Sequence, residues 1–419
     1  MPDILRDRCI LCRDLDRQVP TPCNRGSRPK GQPLSLPSAF SGLAPFDHQL
    51  GDLAAQSRRR ALSPRAGVDF SSNDYLGLAN CARLRKAVGE ALARGTPVGA
   101  TGSRLLRGNA PEHEELEAFA ARFFGAERSL YFGSGYAANH ALLSTLPQRG
   151  DLVILDELLH ASANEGARAG RAQFCRTAHN DADAVESRIL EYRAAGGTGR
   201  VWVAVESLYS MDGDRAPLPA LATLAQRHEA FLLIDEAHAT GVFGSGGRGL
   251  ASGLEGQENV VVLHTCGKAL GGSGALLTGS RTLIDFLINR ARAFIYATAP
   301  SPLMAVAAHE SLRILEEEPE RRERLMRQVT LAARGLSRVA PGLKISGSQI
   351  QPIRVGEEAR AMRLAARLQQ QGFDIRAVRP PTVPAGTSRL RLSITLNATE
   401  QDIHALLEAL GSDCMDLPA

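Results

Sequence analysis

The chain has 419 residues, 44% of them apolar and 22% charged, with 49 basic against 45 acidic side chains and a formal net charge of +4. That near balance argues against a nucleic-acid binder, and the length suits one large globular domain with a smaller companion. No run approaches the roughly 18 apolar residues of a membrane span, and the odd set of scattered cysteines points to reduced thiols in a cytoplasmic protein.

Residues 1–40 are rich in Arg, Pro and Ser, without helical or strand period, and read as a disordered or loosely attached extension. They lack the apolar core of a signal peptide, and Asp3, Asp7, Asp14 and Asp16 are out of place in a transit peptide. Cys9, Cys12 and Cys23 make three-quarters of a zinc set, but no fourth Cys or His comes before His48, so no metal site is expected. An amphipathic helix is expected from Ala44 to Leu62, with Arg58-Arg-Arg60 near its end as a solvated face or an anchor for a substrate anion. Residues 41–85 thus form an N-terminal helix and arm. Asp69-Phe-Ser-Ser-Asn-Asp-Tyr-Leu-Gly-Leu78 is a short strand running into a turn, and the glycine-rich stretch 95–109 is a mobile loop.

After a helix from Glu112 to Phe124, Leu130-Tyr-Phe132 leads into Gly133-Ser-Gly-Tyr-Ala-Ala-Asn139, which opens another helix. A strand, a tight glycine turn and a helix start place backbone N–H groups where a phosphate binds. The same pattern, with Asp156 about twenty residues on, also fits a dinucleotide fingerprint, which leaves an oxidoreductase as a rival reading.

Four apolar runs follow, Leu152–Leu155, Val201–Val205, Phe231–Ile234 and Val260–Leu263, with helices near 182–195 and 218–230 between them. Unbroken apolar strands alternating with helices mean a sheet covered on both faces, hence an α/β domain with a mostly parallel, doubly wound sheet over residues 86–299. Polar groups stand just past the strand ends: His160, Glu206 with Ser210, Asp235-Glu-Ala-His238, and Thr265-Cys-Gly-Lys268. Ligands of open α/β sheets bind there. From Pro300 on the chain turns to long helices, 302–317 and 319–339, then apolar Ile350–Val355, a helix 358–371, strand Leu390–Ile394 and a last helix. Residues 300–419 are a second, smaller α+β domain. Its proline-stiffened loop, Arg379-Pro-Pro-Thr-Val-Pro384, suits holding a side chain in place.

A carboxylate, an imidazole and a lysine at neighbouring strand ends suit pyridoxal 5'-phosphate (PLP). The chemistry needs an amine that gives up its proton readily, and an acid that keeps the cofactor's ring nitrogen protonated. A charge pair at about 4 Å is worth roughly 4 kcal/mol at an effective dielectric of about 20, enough to hold a pyridinium at neutral pH. Asp235 and Lys268 fit the two roles, and His238 falls beside the ring.

Taken together, Asn73-Asp-Tyr-Leu-Gly77, Gly133-Ser-Gly-Tyr-Ala-Ala-Asn139, Ser210-Met-Asp-Gly-Asp214, Asp235-Glu-Ala-His-Ala-Thr-Gly241 and Gly267-Lys268 resemble the α-oxoamine synthases. These are dimeric fold-type-I PLP-dependent transferases that condense an amino acid with an acyl thioester and release carbon dioxide. The resemblance runs from about residue 44 to 412. Within the family, Ser103-Arg-Leu105 and Arg379–Arg391 are most similar to the biotin-pathway branch that joins L-alanine to a pimeloyl thioester. Branches that use glycine with short acyl groups, or long acyl chains, are the alternatives, as is an aminotransferase on the same fold.

The resemblance implies that Lys268 holds the cofactor and moves the proton, that Asp235 pairs with the ring nitrogen, and that His160 stacks on the ring. His238 and Ser210 would lie near its phenolic oxygen. Thr265 with the backbone at Gly135 and Tyr136 would bind the phosphate, and Thr298 would reach the phosphate of the other subunit of a homodimer. Arg391 and Asn73 would hold the amino acid carboxylate, Arg58 would meet substrate near the tunnel entrance, and Thr382 would line the acyl site. The partners implied are an amino acid and an acyl-CoA or acyl-carrier protein, with no nucleic acid or membrane.

Overall fold

The computed structural model describes residues 41–411; the N-terminal extension with Cys9, Cys12 and Cys23, and residues 412–419, lie outside them. The chain divides into two compact units, one up to Asp52 and one from Leu53 on. The described part of the first is a 3-10 turn, Ser41–Leu43, and most of α1 (Ala44–Ala55). That helix stops at Ala55 and not at Leu62 as its pattern suggests. Ser57 takes a left-handed conformation (φ 55°) and its N–H bonds back to the Ala54 carbonyl, so Arg58–Arg60 continue as irregular chain.

In the second unit, β1 (Val68–Asp69) and α2 (Ala82–Ala93) lead to α3 (Pro111–Phe124) and β2 (Arg128–Phe132). Alternation then begins: α4 (Gly135–Thr145), β3 (Leu152–Asp156), α5 (Ala161–Ala169), β4 (Gln173–Thr177), α6 (Ala182–Ala194), β5 (Val201–Glu206), α7 (Leu218–Arg227), β6 (Phe231–Asp235), β7 (Val260–Thr265), β8 (Ala275–Gly279), α8 (Arg281–Arg290) and α9 (Arg292–Ile295). The strands form one seven-stranded sheet in the order β2-β8-β7-β6-β5-β3-β4, parallel except for β8. β3, β5, β7 and β8 are buried along their whole length. Successive side chains point to opposite faces, so Val153, Leu155, Trp202 and Leu233 pack on the face that carries α4 and α5. Ile154, Val203, Val205 and Ile234 pack on the face that carries α6 and α7. The edge strand β4 and the reversed β8 escape a reading by apolar runs. β4 is a half-exposed Gln-Phe-Cys-Arg-Thr, and nothing in the composition of β8 records its direction.

The rest of the unit holds α10 (Pro302–Glu317), α11 (Glu320–Val339), β9 (Ile350–Gly356), α12 (Glu358–Gln370), β10 (Phe373–Asp374), β11 (Ala377–Val378), β12 (Ser388–Ser393) and α13 (Glu400–Gly411). β11, β12 and β9 form a separate antiparallel sheet, and β1 pairs with β10. Both halves meet at the chain after β1: Ser393 N–H donates to the Phe70 carbonyl, and Leu396 N–H to the Tyr75 carbonyl. The glycine-rich stretch after α2 is tied down, because Arg104 donates two hydrogen bonds to Glu117 on α3 (2.8 and 2.9 Å) and Ala299 N–H bonds the Gly102 carbonyl.

Candidate active site

The carboxyl ends of β5, β6 and β7 carry Glu206, Asp235 and Thr265, and Lys268 follows three residues after the last. Asp235 is 7% exposed, and its two oxygens are matched by donors. The Asn139 amide reaches one at 2.7 Å and the Ala237 N–H the other at 2.9 Å. Asn139 comes from α4 and also touches the Ser162 hydroxyl (3.1 Å) at the start of α5. Thus groups from α4, the start of α5 and the turn after β6 together aim one carboxylate.

On the other side, Lys268 Nζ lies 2.6 Å from His238 Nε2, and His238 Nδ1 lies 2.7 Å from the Tyr75 hydroxyl. Tyr75 donates to Asn73 Oδ1 (3.0 Å), and Arg391 Nη2 donates to the Tyr75 oxygen (3.2 Å). With Lys268 charged, Nζ donates to Nε2, so Nδ1 carries the hydrogen, which goes to the tyrosine oxygen while the tyrosine proton goes to Asn73. His238 is therefore neutral: burial, then the charges of Lys268 and Arg391, hold its pKa well below the usual imidazole value. Burial also lowers the Lys268 pKa, to about 8, against the pull of Asp235 and Glu206. An amine so placed gives up its proton far more readily than a surface lysine.

Arg391, in the middle of β12, is fixed by three groups: its Nε donates to the Ser210 carbonyl (2.5 Å), Nη1 to the Ser393 hydroxyl (2.7 Å) and Nη2 to Tyr75. None of these three is an acid, so the buried guanidinium keeps its charge for a ligand. Asn73, Tyr75, Ser210, His238, Lys268 and Arg391 thus come together from five separate parts of the chain.

His160 caps α5, with Nδ1 accepting from the Ser162 N–H (3.2 Å) and facing the Ser162 hydroxyl (2.7 Å); the residue is exposed, so its ring is open to a partner. Ser134 caps α4 by accepting from the Ala137 N–H (3.1 Å), and Gly135 and Tyr136 form the first turn behind it. A Cβ on Gly135 would lie 3.5 Å from Thr265 Oγ1, so the helix start and the threonine hydroxyl share one corner. First-turn N–H groups without an intrahelical acceptor, a hydroxyl and a helix dipole suit a phosphate.

Three expected residues stand apart from this network. Arg58 is paired with Glu358 (2.6 Å), Thr382 accepts from Arg60 (3.2 Å), and Thr298 is exposed after α9. Conversely, Tyr75 and Asn139 receive no role from the sequence, although both lie inside quoted motifs. Their partners are 163 and 96 residues away, a distance that no local signal spans.

The residues fit PLP on chemical grounds: an ionised, donor-matched acid, a buried amine of lowered pKa, an open imidazole ring and a phosphate corner surround one space. Residues 65–410 match the model of the aminotransferase class I and II family. An 8-amino-7-oxononanoate synthase of Chromobacterium violaceum is 43% identical over 348 residues, 83% of this chain and 89% of that protein. Among solved structures, serine palmitoyltransferase from S. paucimobilis, with PLP and myriocin bound, superposes with a TM-score of 0.81 at 26% identity, covering 90% of this chain and 98% of that one. An 8-amino-7-oxononanoate synthase from Francisella tularensis has a TM-score of 0.70 at 27% identity, covering 83% and 97%. These likenesses set aside the dinucleotide oxidoreductase, and the chain belongs to the aminotransferase class I and II family, in its α-oxoamine synthase branch with PLP as cofactor.

Proposed function

We propose that this protein is an 8-amino-7-oxononanoate synthase, which joins L-alanine to pimeloyl-CoA or a pimeloyl-carrier protein and releases carbon dioxide and the free thiol carrier in biotin biosynthesis. The single observation that carries this reading is the 43% identity to a protein of that name over most of both chains, on a site with the polar groups the reaction demands. When bound, the cofactor supplies the electron sink for breaking a bond at the amino acid's Cα.

The chain's own residues do the rest. Arg391, preorganised by Ser210, Ser393 and Tyr75, takes the alanine carboxylate by charge-assisted hydrogen bonds, with Asn73 beside it. Lys268 Nζ, next to a neutral imidazole on His238, removes and returns the proton at Cα. Asp235 would keep the cofactor's ring nitrogen protonated, and His160, His238 and Ser210 would hold its ring. Gly135, Tyr136 and Thr265 would bind the phosphate, and Thr298 would serve the phosphate site of a second subunit. Arg58 and Thr382 belong to the acyl approach. Residues 41–85 form the arm, 86–299 the cofactor domain and 300–419 the small domain, and the protein works as a cytoplasmic homodimer.

Purified protein loaded with PLP, assayed with alanine, glycine and serine against acetyl, succinyl, pimeloyl and long-chain thioesters, tests the reading. Alanine with a pimeloyl thioester is expected to turn over best, with one carbon dioxide and one free thiol per product. Preference for glycine with a short acyl donor would place the chain in another branch.

A further inference from the structure

Among the buried titratable side chains that the mechanism leaves unused, Glu206 stands at the site itself. Glu206 ends β5, is 2% exposed, and is the Cα partner of Asp235 on the neighbouring parallel strand. Side chains in register on adjacent parallel strands point to the same face, with the strands about 4.8 Å apart, so the two carboxyls are neighbours. Two carboxylates in one dry site do not both ionise readily. Their surroundings decide which one keeps a proton. Asp235 receives donors on both oxygens, whereas Glu206 takes the Ser210 N–H on Oε2 (3.2 Å) and its Oε1 is buried without a hydrogen-bond partner.

A buried polar atom left bare is costly, and native proteins keep such atoms where a ligand completes them. The facing groups allow this. Asp235 on β6, Lys268 after β7, the backbone of His160 before α5, and Tyr75 and Tyr209 from the loops surround the carboxyl, with Arg391 held to the same Ser210. Resting on the PLP reading of the site, we propose that Glu206 is a further positioning residue: a carboxylic acid that stays neutral beside ionised Asp235 and offers its free Oε1 as a hydrogen-bond donor to an acceptor on the bound cofactor. Burial first, and then Asp235, raise its pKa to about 8, while Lys268 and the backbone of Ser210 and His160 pull it down.

Holoenzyme tests this with Glu206→Gln and Glu206→Ala. The amide of E206Q is neutral and can donate, so its cofactor affinity and the pH midpoint of the cofactor absorbance should match the parent. E206A should bind PLP about tenfold more weakly, as for one lost buried hydrogen bond. The infrared carbonyl band of a protonated carboxyl should be present in parent holoenzyme at pH 7 and missing in E206Q. If Glu206 is ionised instead, E206Q removes a negative charge beside Lys268, the absorbance midpoint falls by about one pH unit or more, and the infrared band is absent from the parent; either result overturns the proposal. Equal cofactor affinity in E206A and the parent also overturns it. Failure of the parent itself to take up PLP would instead sink the PLP reading, a different and visible outcome.

Discussion

Lys268, His238, Tyr75 and Arg391 form one hydrogen-bonded row, so single substitutions are expected to separate into kinds. Lys268→Ala should abolish turnover, and Asp235→Asn should leave a bound but unreactive cofactor; activity and near-visible absorbance measured on the same samples check both. Arg391→Ala removes a charged hydrogen-bond partner and should weaken alanine binding by about 2–5 kcal/mol while the cofactor stays bound. Alanine titrations followed by the change in cofactor absorbance read that loss, and unchanged alanine affinity would remove Arg391 from the site. Lys268, His238 and Asp235 can be picked out in the chain for a physical reason: each follows the abrupt polar end of an apolar run, where a buried strand leaves the core. Arg391 lies within β12 and is picked out only through the family resemblance. Glu206 shares the strand-end position, but its role and that of Tyr75 depend on which distant side chains face them.

Between elements, the stiffest polar joint is His179, after β4, held between Asp156 at the end of β3 (2.9 Å) and Asp214 in the loop after β5 (2.7 Å). Burial opposes its charge, but the hydrogen bonds from Asp156 and Asp214 win and raise its pKa to about 10, from 6.5. A group whose pKa rises on folding stabilises fully below the unfolded value and loses that contribution as pH climbs through the folded one. Thermal melts of His179→Gln against the parent should therefore show their largest gap below about pH 6.5, closing as the pH nears 10. The Lys268 loop makes a second joint. Gly274 has φ +97°, and a Cβ there would stand 2.4 Å from the Tyr131 ring and 2.6 Å from the Phe132 carbonyl. Gly274→Ala should cost about 1–3 kcal/mol in urea unfolding, and weaken PLP binding, because Cys266 N–H bonds the Gly274 carbonyl and the loop closes on that bond.

At the scale of the whole molecule, four of the exposed apolar side chains among the described residues lie on two neighbouring stretches, the second of which carries Thr298. Val98 (69% exposed), Leu105 (49%), Leu106 (84%) and Tyr296 (73%) lie on two stretches tied to each other by Ala299 N–H to the Gly102 carbonyl and by Ser301 Oγ to the Val98 carbonyl. An apolar patch of this kind marks an association surface. Sedimentation should give twice the 44.8 kDa chain mass. Leu106→Glu should weaken association about tenfold or more, as expected for losing a buried leucine contact, and lower activity with it, as the role proposed for Thr298 in the neighbouring site requires. A monomeric parent with full activity would refute the shared-site reading. Among the described residues, no helix is long and apolar enough to cross a membrane.

The α/β class, the parallel strands and their order along the chain were legible because a strand buried on both faces must be apolar throughout, and a site at its end must be polar. Lys268, Asp235, His160 and His238 stood out in the sequence for the same reason, and Arg391 only through motifs that resemble a known family. Folding in three dimensions was needed for what depends on neighbours remote in the chain. The reversal of β8 and the edge strand β4 have no period of their own. The end of α1 at Ala55 follows from a left-handed Ser57 that the amphipathic pattern runs straight past. Above all, the pairing of Asn139 with Asp235, the neutral tautomer of His238 and the bare oxygen of Glu206 arise from contacts across the sheet. Charge state in a buried site is a property of the whole set of facing groups, and no stretch of sequence contains that set.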